Sequence, residues 1–133
     1  MRYMLLIYNK ENQNGPIPEQ GNHAAVTHAA IMDETARLGI FRAAEPLHPT
    51  STATTVRVEK GKVLTTDGPF AETKEQLAGY YILDCKNLDE AIEWAAKIPT
   101  ACSGGAGCVE IRPIRDMSVQ LRDNIRETQY ATP

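Results

Sequence analysis

Residues 2–8, RYMLLIY, carry apolar or aromatic side chains on both sides of an extended chain: Tyr3, Leu5 and Ile7 fall on one face, Met4, Leu6 and Tyr8 on the other. A strand with no polar face is costly at a solvated edge. The run therefore predicts a strand paired on both sides, in the middle of a sheet, and every other element has to be arranged around it.

The next segment, NKENQNGPIPEQGN, is a loop by its Gly, Pro and Asn content. Beyond it the apolar period becomes helical. Ala25, Ala29, Met32 and Ala36 form one stripe, predicting a helix that ends near Leu38-Gly39 and lies close to a sheet through its small side chains. TATTVRVEKGKVLTT alternates Thr54, Val56 and Val58 with Thr55, Arg57 and Glu59, turns at Lys60-Gly61 and runs back, so it reads as a hairpin with one polar face. GYYILDC reads as a further strand. NLDEAIEWAAKIP carries helix signals at both ends, with Asn87 as N-cap, Glu90 three residues on and Pro99 as the stop; Leu88, Ala91, Ile92 and Ala95 are expected on its inner face, and Trp94 packs with Ile98. CVEIRPI closes the series as a strand that buries Val109 and Ile111 and exposes Glu110 and Arg112.

The order strand, helix, hairpin, strand, helix, strand predicts an α+β fold: a ferredoxin-like βαββαβ plan with an extra hairpin and both helices on one sheet face. No third layer exists in the sequence to cover the other face. A second copy of the chain is the expected cover, giving a homodimer with a shared cavity. Residues 1–114 make one domain, and residues 115–133, with a weak apolar beat at Met117, Leu121 and Ile125, are expected as a short helix or an extended dimer arm.

Composition narrows the partners. Apolar residues are 42% of the 133-residue chain and charged residues 23%, the proportions of an ordinary globular domain. A net charge of −3, with no cluster of Lys and Arg, argues against a nucleic-acid surface. The longest apolar run, Met4 to Tyr8, is too short to span a bilayer, and no export signal is recognisable, so a cytoplasmic location is expected with no membrane partner. Cys85, Cys102 and Cys108 are read as reduced, buried small hydrophobes. The spacing of Cys102 and Cys108 around SGGAG lacks a second ligand pair, and neither a metal nor another cofactor is expected.

The segments RYMLLIY, STATTVRV, TDGPFAETKEQLAGYYILD, LDEAIEWAAKIP and VEIRPI, in that order, resemble the DGPF-type branch of the YCII-related proteins. The run from Asp67 to Leu77 is similar nearly letter for letter; ACSGGAGC and the tail beyond Arg115 depart from the pattern. The resemblance implies a dimeric α/β-barrel of two ferredoxin-like halves, a cleft near the subunit junction, a bacterial origin and a functional link to extracytoplasmic-function sigma factors. Some YCII-related members resemble small-molecule enzymes in which a His/Asp pair moves a proton, and the fold is shared with muconolactone isomerases and small monooxygenases. Fold alone licenses no activity.

The residues offer two readings of the loop after the hairpin. Asp67-Gly68-Pro69 is a turn by its chemistry, yet the connection carrying Phe70, Glu72, Thr73, Lys74 and Glu75 exceeds a hairpin loop and has the length of a binding loop. In the functional reading Asp67 abstracts a proton or orients a histidine, and Lys74 binds a carboxylate or opposes an enolate; in the other, Lys74 pairs with Glu72 or Glu75 in solvent. Of His23, His28 and His48, His28 on the first helix flanks the expected stripe and is the best general acid–base candidate. Arg57 on the hairpin suits an anionic substrate, and one of Tyr80 and Tyr81 enters the cavity while the other packs beneath a helix. The site expected from sequence thus has His28 and Asp67 as catalytic pair, with Arg57, Phe70, Glu72, Lys74 and Tyr81 holding an unidentified small molecule. The expected function is cofactor-independent proton transfer of isomerase or lyase type. Its alternative is a non-catalytic ligand-binding or regulatory module acting with a sigma factor.

Overall fold

The structure, a computed structural model, describes residues 1–11, 18–100, 107–117, 121 and 123–125, and of residues 18–26 the backbone alone. Its elements run β1 (Arg2–Asn9), α1 (Pro18–Arg37), β2 (Phe41–Pro46), a 3-10 turn (Thr50–Thr52), β3 (Thr54–Glu59), β4 (Lys62–Asp67), β5 (Gln76–Asp84), α2 (Leu88–Ala95) and β6 (Gly107–Pro113). Four strands form one antiparallel sheet in the order β2-β5-β1-β6. The RYMLLIY strand is central, as its two apolar faces require: Leu5 stands opposite Tyr81 on one side and Ile111 on the other. This is the α+β, ferredoxin-like arrangement.

Register assigns the faces. Tyr3 and Leu5 of β1 stand opposite Leu83 and Tyr81 of β5, Ile7 stands opposite Gly79, and all six are buried. Ile31 of α1 and Ala91 and Trp94 of α2 close over them, with Ile98 and Cys85 completing the core. Both helices therefore cover the same sheet face. On the opposite face, Met4, Leu6, Tyr8, Tyr80 and Ile82 remain half-exposed.

Three details go beyond the sequence reading. FRAAEP, to which the sequence reading assigns no element, is strand β2 at the sheet edge; its alanines and charged residues carry little β-propensity, and pairing with β5 imposes the extended form. Arg42 is skipped in that pairing, between Phe41 opposite Leu83 and Ala43 opposite Ile82. The hairpin β3–β4 is a separate two-stranded sheet and not part of the main one.

The inner faces of both helices also turn relative to expectation. Of the expected α1 stripe, Ala29 and Ala36 are exposed, Met32 packs against the core and the side chain of Ala25 lies outside the described residues; the buried residues among those described on α1 are Ile31 and Thr35. Burying Ile31 removes far more apolar surface than burying an alanine, and the Thr35 hydroxyl is satisfied by donating to the Ile31 carbonyl at 2.7 Å. On α2, Leu88 and Ile92 are exposed while Ala91 and Trp94 are buried, because the indole is the larger apolar body to hide; Ile98, just beyond the helix, is buried with them. The Asn87 cap forms as expected, its side chain accepting from the Glu90 amide at 3.0 Å. Of the cysteines, Cys85 is buried and Cys108 is exposed on β6, where its thiol meets Glu75; Cys102 lies outside the described residues.

The edge strand β2 runs close against β5 at Gly79, opposite Pro46. A Cβ there would lie 2.7 Å from the Glu45 carbonyl oxygen. Gly79→Ala is therefore expected to push β2 away from β5 and to lower stability by about 1–3 kcal/mol in urea unfolding, the usual cost of overpacking; an unchanged midpoint would count against this close approach.

Candidate functional site

Two chemistry-bearing side chains meet away from solvent between helix and sheet. His28 sits one turn before Met32 on α1, and Tyr81 stands in the middle of β5 on the helix-covered face, opposite Leu5 and Ala44. Their rings are 5.8 Å apart between centroids at 22°, and His28 Nδ1 is 2.6 Å from the Tyr81 hydroxyl. His28 is half-buried; Tyr81 is only 2% exposed. Burial lowers the His28 pKa below 6.5 and pushes that of Tyr81 up to about 12. Both groups are consequently neutral at pH 7.

Of the two adjacent tyrosines, Tyr81 is the one beneath a helix, while Tyr80 belongs to the half-exposed open face. The sequence reading allowed either tyrosine to enter the cavity and counted Tyr81 among the residues holding the ligand; the structure packs Tyr81 beneath α1 against His28. The contact with His28 was not legible at all, since it joins residues 53 positions apart.

Asp67 ends β4, opposite Thr54 on the separate hairpin. It is exposed, and among the described residues its carboxylate has neither a hydrogen-bond nor an ion-pair partner. The turn after it is held by other groups. The Gly68 amide donates to the Ala53 carbonyl at 2.7 Å, and the Thr55 hydroxyl donates to the Gly68 carbonyl at 2.8 Å. Gly68 takes φ 102°, a conformation that disfavours any side chain. Within one chain, then, His28 meets Tyr81, and no hydrogen bond joins it to Asp67.

Arg57, Phe70, Glu72 and Lys74 are all exposed, Phe70 at 79%. Arg57 and Lys74 have no ion-pair partner among the described residues. The far end of the loop is better anchored. The Thr73 hydroxyl donates to the Glu75 carbonyl at 2.5 Å, and the Gln76 side-chain amide donates to the Thr73 carbonyl at 2.6 Å. Gln76 Oε1 accepts from the Glu11 amide at 2.9 Å, while the Glu11 carboxylate accepts from the Thr50 amide and hydroxyl, each at 2.7 Å. Glu11 and Gln76 thus tie the DGPF loop and the 3-10 turn to the end of β1. Sequence reasoning passed over both, as an isolated Glu and Gln give no periodic signal. His48 is exposed, and the side chain of His23 lies outside the described residues.

The arrangement has a pH signature. A histidine whose folded pKa is depressed binds fewer protons in the folded than in the unfolded state between its folded pKa and 6.5. Stability should therefore fall as pH drops through that window. His28→Gln is expected to flatten this part of the urea-midpoint profile; equal slopes for the two proteins below pH 6.5 would show that His28 is not buried as described.

Comparison with known proteins supplies a family. The YCII-related domain family matches residues 1–118. An uncharacterized protein of Rhizobium meliloti (strain 1021) is 35% identical over 115 residues, spanning 86% of this chain and 92% of that protein. No helix among the described residues is long and apolar enough to cross a membrane. With its central RYMLLIY strand, its four-stranded antiparallel sheet and this match over most of its length, the chain belongs to the YCII-related domain family.

Proposed function

We propose that the chain acts as a cytoplasmic homodimer that binds a small molecule beside α1 and moves a proton there, with His28 as the working group. The observation that carries this reading is the half-buried His28–Tyr81 pair at 2.6 Å. An imidazole kept neutral by its surroundings at physiological pH, with one nitrogen held and the other free of described partners, suits a general acid that donates to the oxygen of a bound carbonyl compound and so eases loss of its α-proton to solvent. Asp67 is not needed for this step within its own chain. Phe70, Glu72, Lys74 and Arg57, all solvent-facing, serve in this reading to meet either the ligand or the partner subunit.

Two exposed surfaces support the homodimer. The open sheet face presents Met4, Leu6, Tyr8, Tyr80 and Ile82. The hairpin puts Val56, Val58 and Val63 on a single face, exposed at 59%, 67% and 68%, with Val58 opposite Val63. A two-stranded ribbon with a bare valine face is marginal in water and gains from burial against another surface. The purified protein should elute as a dimer and lose thermal stability on dilution. Val58→Asp should shift it toward monomer, and a wild type that stays folded as a monomer at nanomolar concentration would refute the assembly.

For the chemistry, the probes are a panel of small α-keto acids and unsaturated lactones in D2O, followed by proton NMR for loss of the α-proton signal. Wild type and Asp67→Asn should both accelerate exchange of at least one probe, and His28→Gln should lose more than about 100-fold of that rate, the usual scale of a general acid–base contribution. Equal rates in wild type and His28→Gln would end the catalytic reading.

A further inference from the structure

We propose that Tyr81 is a positioning residue that fixes His28 in the tautomer carrying its proton on Nε2, so that the site offers a neutral N–H donor to a carbonyl or enolate oxygen of its ligand. The proposal rests on the reading of His28 as the working group, and it concerns which nitrogen is available for that work.

The hydrogen bond at 2.6 Å between Nδ1 and the phenol oxygen admits three proton arrangements. In the first, the phenol donates to a bare Nδ1 and the ring proton resides on Nε2. In the second, Nδ1–H donates to the phenol oxygen, and the phenol proton must find another acceptor. In the third, the proton passes to the ring, giving a tyrosinate beside an imidazolium.

The surroundings choose among them. Tyr81 is 2% exposed, and among the described residues its hydroxyl has no hydrogen-bond partner other than His28. The second arrangement would bury an O–H donor with nothing to accept it, a penalty the first avoids. The third requires charges on two groups that burial holds neutral, the phenol with its pKa near 12 and the imidazole with its pKa below 6.5. The first arrangement alone satisfies both side chains.

The consequence concerns ligand chemistry. Nδ1 is occupied, and Nε2 bonds no described residue. Nε2–H can donate to an oxygen and cannot accept a proton while Tyr81 holds the other nitrogen. The site therefore suits a molecule that presents a carbonyl oxygen, which the neutral donor polarises without itself being charged. A ligand whose recognition needs an acceptor, such as an ammonium group, is disfavoured at this position.

The test is a long-range proton–nitrogen NMR correlation on uniformly 15N-labelled dimer without ligand, with the His28 signals identified by their loss in His28→Gln. At pH 7.5 Nδ1 is expected to resonate as an unprotonated nitrogen and Nε2 as a protonated one; the reverse pattern, or two averaged nitrogens, overturns the proposal. Tyr81→Phe supplies the second readout. A hydrogen bond donated to Nδ1 favours the neutral ring, so its loss should raise the His28 pKa toward 6.5 and let the two tautomers mix. A pKa that falls or stays, or a tautomer that persists, overturns the assignment. If Tyr81→Phe does not fold, the wild-type spectrum decides alone. These measurements use free protein, so they succeed or fail independently of whether any probe undergoes deuterium exchange.

Discussion

The pairing of β1 on both edges is the constraint on which the rest of this structure depends. Because β5 and β6 take its backbone donors and acceptors from both sides, Tyr3, Leu5 and Ile7 are fixed on one face and Met4, Leu6 and Tyr8 on the other. A shift of one residue would exchange the two sets. The helices would then rest on the other face, and Tyr81, carried by the β5 register, would no longer stand beneath α1. The meeting of His28 with Tyr81 is thus a consequence of sheet register before it is a matter of local packing.

Much of this was legible in the sequence wherever a local pattern was strong. RYMLLIY announced a central strand, Lys60-Gly61 announced a turn, and Asn87 announced a helix start; each rests on short-range chemistry that tertiary contacts did not override. Strand β2 was missed for the converse reason. FRAAEP has neither alternation nor β-branched residues, and only its partner strand makes it extended. The α1 face was misjudged at Ala29 and Ala36 because alanines are compatible with either side of a helix, so the position of Ile31 decided what those small side chains could not.

The candidate site was only half legible. His28 could be named from its residue type and its place on a helix, while its partner could not, since no spacing rule connects α1 to the middle of β5. Asp67 attracted attention through a sequence signature, and the structure gives that signature a local role in which Gly68, Ala53 and Thr55 make the hydrogen bonds. The same signature, Asp67 to Leu77, also ends where Gln76 and Glu11 anchor the loop to β1.

The separateness of the β3–β4 ribbon has a kinetic corollary. Its contacts join residues within one short stretch around a two-residue turn in which both Lys60 and Gly61 have positive φ, so it can close in about 1–10 μs, before any long-range pairing. The main sheet must wait for β1 to find β5 and then β6, strands drawn from the far end of the chain. During that interval the ribbon, marginal on its own, opens and closes repeatedly and displays its valine face beside an unfinished core each time it closes. Crowded synthesis would therefore test this protein most severely before its sheet has closed, and the Arg57, Glu59 and Lys62 side chains on the reverse of the ribbon are its nearest charged protection against untimely association.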